Sequence, residues 1–168
     1  MTLYSGRLSE GLVARPVSAE ADGRGGVRGH IGGRLTGVAF EIAAPEPHTV
    51  RGRVRYRGAA AVPFELALLE SGAVLRGRVA GVDTVLRREA DGVTASIGTS
   101  YHVTLAWDAG RRLLHGEAGE HWTAPGQAPV ARPQGARAPR PNTPVALNIG
   151  EGGDLLLAAL IAVIGLRA

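Results

Sequence analysis

From residue 27 onward, apolar and polar positions alternate with a period of two. In "VRGHI" the apolar phase falls on Val27, Gly29 and Ile31, and in "VAFEI" on Val38, Phe40 and Ile42. It continues through Val50, Gly52, Val54 and Tyr56, then Val62, Phe64, Leu66 and Leu68, then Leu75, Gly77 and Val79. Val93, Ala95 and Ile97 follow, and then Tyr101, Val103, Leu105 and Trp107. A period of two over five to seven residues belongs to a strand with one face on a core and one in water.

The strands recur as a motif. "VRGHIG", "VRGRVR" and "LRGRVA" share the form apolar-Arg-Gly-x-apolar, and "VTASIG" and "LLHGEAG" are weaker copies. Spacings of about 18 to 25 residues suit one hairpin per unit, so five units predict about ten strands. The expected fold is all-β: an antiparallel meander closed as a barrel or folded as a sandwich.

Opposed residues of a hairpin must face the same side. Pairing Ile97 with Tyr101 sets Val103 against Ala95 and Leu105 against Val93. Pairing Tyr56 with Phe64 sets Val54 against Leu66 and Arg55 against Glu65. The motif's glycine points to the apolar side, where it weakens a strand unless a sharp bend or a close neighbour requires it.

The alternation stops near residue 122, and three segments are expected: an all-β part over 1–122, a connection over 123–144 and a final part over 145–168. The connection, "TAPGQAPVARPQGARAPRPNTP", is rich in proline and arginine and has no acid. That composition gives a semi-extended arm. In the last part "VALNI" reads as a short strand and "GEGG" as a break. Asp154 is a good N-cap for a helix over the unbroken apolar run Leu155 to Leu166. Twelve helical residues span about 18 Å, too short for a bilayer core of about 30 Å.

A helix apolar on every side needs apolar surroundings. Three are open for Leu155, Leu156, Leu157, Leu160, Ile161, Val163, Ile164 and Leu166. They are the chain's own barrel, a partner subunit or second copy, and a lipid surface. The arm's arginines beside this segment would favour an anionic membrane.

Composition adds little about chemistry. The 25 glycines of 168 residues carry no Gly-X-Y period, and there is no cysteine. Disulfides, thiolate metal sites and a thiol nucleophile are thereby excluded. "MTLYSGRLSEGL" has neither a basic start nor an apolar stretch, so a cytoplasmic location is expected, with peripheral membrane attachment as the alternative. The net charge of +4 is carried by 19 arginines, without a lysine.

Arg51, Arg53, Arg55 and Arg57 fall on every second residue, repeating at about 6.6 Å along a strand. Arg28, Arg76 and Arg78 hold matching places in other repeats. A face of this kind binds anions or a nucleic-acid backbone without sequence preference, although no exposed aromatics accompany it for base stacking. The bland alternative is the hydrated side of a sheet, where charge also discourages edge pairing. The histidines show no ligand spacing, and neither a nucleophile elbow nor a phosphate loop occurs. No cofactor and no metal are expected. The sequence points to a non-enzymatic binding or structural module with a buried C-terminal helix. The alternatives are a membrane-associated protein using that helix and a nucleic-acid binder using the arginine face.

Overall fold

The computed structural model describes residues 2–10, 13–33, 37–120 and 142–166. Twelve strands form a closed antiparallel barrel, each pairing with its neighbours in sequence, and β12 closes the circle against β1. They are β1 (Thr2–Glu10), β2 (Val13–Ala21), β3 (Val27–Ile31), β4 (Val38–Ile42), β5 (Thr49–Arg55) and β6 (Val62–Leu69). Then come β7 (Val74–Val79), β8 (Val82–Glu89), β9 (Gly92–Ile97), β10 (Tyr101–Asp108), β11 (Leu113–Glu120) and β12 (Thr143–Ile149). One helix, α1 (Leu155–Leu166), ends the described chain.

The meander is therefore a barrel and not a sandwich, with more strands than the repeat count suggests. The extra strands are at the N-terminus and at β8, whose inward positions include Gly6, Arg15 and Thr84 and so dilute the apolar phase. The proline- and arginine-rich connection expected over 123–144 lies, up to residue 141, outside the described residues. Thr143 and Pro144 already belong to β12.

The predicted register holds at β9–β10, where Ile97 faces Tyr101, Ala95 faces Val103 and Val93 faces Leu105. It needs correction at β5–β6. There Gly52 faces Phe64, Val54 faces Val62, and Arg51, not Arg55, faces Glu65. The strands part at Arg55, leaving a loop over 56–61. The Phe64 ring stands where a Gly52 side chain would have been. The shift is by an even number of residues, so every side chain keeps its predicted face.

Side chains lining the inside of twelve strands leave room that an eight-stranded barrel would not. α1 fills it. Residues Leu156 through Gly165 are all buried, with the helix packed against β1, β8, β9 and β12. Ala158, Ala159, Ala162 and Gly165 narrow it, and a side chain at Gly165 would run into Leu8 and Ile31. Of the three surroundings open to the apolar run, the barrel's own lumen is the one it occupies.

Both ends of α1 are tied by polar groups. At its start Asp154 Oδ1 accepts the Leu157 N–H at 3.1 Å, an N-cap. Tyr4 of β1 accepts the Asp154 N–H at 2.8 Å through its hydroxyl oxygen. Burial pushes the Tyr4 phenol above its ordinary value; the Asp154 N–H opposes this and the Asp154 charge adds to it. At the other end Arg15 of β2 donates to Gly165 O at 2.6 Å. This places a cation at the helix's negative pole, on carbonyls that lack helical partners. Arg112, between β10 and β11, donates to Ile149 O and Gly150 O at 2.8 and 2.9 Å and so fixes the β12–α1 corner.

Replacing Arg15 with Met keeps the apolar stem and removes the donors. Stability is expected to fall by about 1.5–3 kcal/mol, the cost of losing a charged hydrogen bond to a buried carbonyl. Tyr4→Phe, which removes one neutral bond, should cost about 1 kcal/mol. Urea melts of the two variants check the order.

Candidate functional site

The outward positions of β2 to β8 carry most of the arginines singled out from the sequence, and the barrel's register arranges them in rows across the strands. In one row Arg51 of β5, Glu65 of β6, Arg78 of β7 and Asp83 of β8 stand side by side. Arg51 pairs with Glu65 at 3.1 Å and with Glu46 at 3.2 Å, and Arg78 with Asp83 at 3.0 Å. A second row runs Glu20, Arg28, Glu41, Arg53 across β2 to β5. Arg53 and Glu41 pair at 2.7 Å. Both rows alternate in sign, so their cations are largely matched by their own neighbours. Exposed pairs of this sort contribute little to stability, about 0–1 kcal/mol each, but they lower the net charge a ligand meets.

Asp22, in the β2–β3 turn, works in the same direction. The Arg24 N–H, at 2.7 Å, is the chief cause holding its carboxyl below the ordinary carboxylate range. The Gly26 N–H and the charges of Arg24 and Arg28 assist.

A third row differs. Ser18, His30, Ala39 and Arg55 lie side by side across β2, β3, β4 and β5, and none is acidic. All four are exposed. Among the described residues neither Arg55 nor Arg57, just beyond it, has an ion pair. Arg76 of β7, also exposed, lies between Ala67 and Val85, away from these residues.

The surface is concave here. A groove of about 430 Å³ is lined by Ser18, His30, Ala39 and Arg55, and by Glu20, Arg28, Glu41 and Arg53 of the second row. A smaller hollow of about 250 Å³ continues past His30, Ala39 and Arg55 to Arg57 and Gly58. A third, of about 590 Å³, lies over Arg24, Arg28, Arg51 and Arg53 with Asp22 and Glu41. All three are on the outside of β2 to β5.

The histidines stay apart: His30 is on β3, His102 on β10 and His115 on β11. Among the described residues no three His, Cys, Asp or Glu side chains converge as metal ligands would. Ser96 Oγ and His102 Nδ1 lie 3.3 Å apart on neighbouring outward positions of β9 and β10.

Sequence reasoning named the outward arginines but missed Tyr4, Arg15 and Arg112, which hold the plug. Arg15 did leave a trace, since it interrupts the inward phase that Val17 and Ala19 continue. Arg112 lies in a turn, where side-chain direction has no periodic signature.

The fold and this surface define an up-and-down barrel occupied by its own helix α1, with three concave places on the exterior of β2 to β5. No family model, curated protein or solved structure matches the chain. No helix among the described residues is long and apolar enough to cross a membrane.

Proposed function

We propose that this protein is a non-enzymatic binding module that takes an anionic ligand on the outside of β2 to β5. One observation carries the proposal: α1 already fills the space inside the barrel. A ligand is left with the outer surface, and there the grooves are lined by arginine, with Glu20, Glu41 and Asp22 on the side away from Arg55. A lipid or partner role for Leu155–Leu166 has less support, because the segment would first have to leave the lumen. A polynucleotide track along β5 has less support too, because Arg51 and Arg53 are spoken for by Glu46, Glu65 and Glu41.

The test is amide shift mapping of the intact protein with inorganic triphosphate at low ionic strength. Shifts are expected on β2 to β5 and should fade as salt shortens the Debye length from about 30 Å toward about 8 Å. Absence of shifts, or shifts spread evenly around the barrel, would count against an outer anion face.

A further inference from the structure

Strand register places four outward residues in one line, and their chemistry differs from that of the rows beside them. Ser18 faces His30, His30 faces Ala39, and Ala39 faces Arg55. The adjacent row, Glu20–Arg28–Glu41–Arg53, supplies an acid between its cations. The Ser18 row has only the methyl group of Ala39 in that place.

We infer that this row is a seat for a single phosphate group, free or as a monoester, held between His30 and Arg55 over Ala39, with Ser18 beside His30. The inference rests on the outer-face reading above and narrows it to one ligand chemistry and one place.

The spacing suits that ligand. Adjacent strands lie about 4.8 Å apart, so His30 and Arg55, two strands apart, are rooted about 10 Å from one another. One tetrahedral oxyanion fits that gap with charge-assisted hydrogen bonds of about 2.7–2.9 Å to the guanidinium. Arg55 offers the planar fork that engages two phosphate oxygens at once. His30 offers a ring N–H that can donate to the same group. A small floor residue is required, because a longer side chain on β4 would occupy the ligand's volume. Ala39 meets that need, whereas Glu41, the next outward position on the same strand, would repel the ligand. The two hollows that meet at His30, Ala39 and Arg55 mark the same spot; Glu20 and Glu41 line only the far side of the larger one, in the row where Arg28 and Arg53 face them, and the smaller one has no acid.

The experiment titrates the full-length protein with inorganic phosphate and follows its amide shifts. Saturable shifts are expected at His30, Ala39 and Arg55. Arg55→Ser is expected to weaken binding at least tenfold. Ala39→Leu, which leaves every charge in place, should weaken it as much by filling the floor. Arg78→Ser removes the same charge as Arg55→Ser but lies outside the groove, and it should change affinity less than twofold.

If Arg55→Ser and Arg78→Ser weaken binding equally, or if Ala39→Leu binds normally, attraction is diffuse and the seat is refuted, while triphosphate shifts on β2 to β5 would leave the broader reading standing. If neither phosphate nor triphosphate shifts β2 to β5, both fall. Two competition arms identify the source of the phosphate. Glycerol phosphate displacing inorganic phosphate supports a soluble monoester. Displacement by phosphatidylcholine vesicles containing phosphatidic acid, and not by pure phosphatidylcholine, supports a headgroup.

Discussion

Deleting residues 145–168 is expected to abolish cooperative unfolding. The loss has two parts. β12 is hydrogen-bonded on both sides, so its removal opens the barrel between β1 and β11 and leaves two strand edges unpaired. α1 buries Leu156, Leu157, Leu160, Ile161, Val163 and Ile164. At about 1.5–3 kcal/mol for each such side chain, the gross contribution is on the order of 10 kcal/mol. A domain of this size is stable by only about 5–15 kcal/mol. The truncated chain should lose its sharp thermal transition in circular dichroism and bind a hydrophobic dye. A truncated chain that stays soluble and melts sharply would sink this account of the lumen. Ile161→Ala in the full chain gives a milder measure, with an expected loss of about 2–5 kcal/mol for a fully enclosed side chain.

The second large effect concerns glycine on the inner face. Gly77 lies on β7 beside Leu66 of β6. A Cβ there would lie 2.5 Å from Glu65 O and 2.8 Å from Leu66 Cδ2. The obstacle is neighbouring backbone, which cannot turn aside as a long side chain can. Gly77→Val should therefore cost about 3 kcal/mol or more by forcing two strands apart. Gly72 supplies the contrast. Its φ is +91° and a Cβ would meet nothing within 4 Å. Gly72→Ala should lose only about 1 kcal/mol, through backbone strain. Chemical denaturation of the two variants separates close approach from conformational freedom, and equal losses would refute the distinction.

Gly77 also shows where sequence reasoning ran out. Its inward phase was legible from the alternation, and so was the need for a reason. Two reasons fitted: a sharp bend, or the close approach of a neighbouring element. The atoms a side chain would meet at Gly29, Gly52, Gly77, Gly92 and Gly116 belong to adjacent strands, so the second holds. A one-dimensional pattern records which side a residue faces but not how near the next strand comes.

The arginines divide along the same line. That Arg51, Arg53 and Arg55 face water follows from parity alone, and it survives the corrected pairing of β5 with β6. Which of them meets an acid does not follow. Sliding the register by two residues on each strand moved Glu65 from Arg55 to Arg51, and that displacement left the row over Ala39 without an acid. Side-chain period resolves odd from even shifts, whereas loop length and the fit of Phe64 over Gly52 choose among the even ones.

By itself, then, the order of residues determined most of the strands from Val27 onward, their inner and outer faces, and a terminal helix that had to be enclosed in something apolar. These are local matters of periodicity, capping and hydropathy. Only the tertiary structure decided that the sheet closes on itself, that the helix lies within it between Tyr4 and Arg15, and that Ser18, His30, Ala39 and Arg55 share a row. Closure and cross-strand neighbours depend on contacts between residues far apart in the chain, and those are settled by packing.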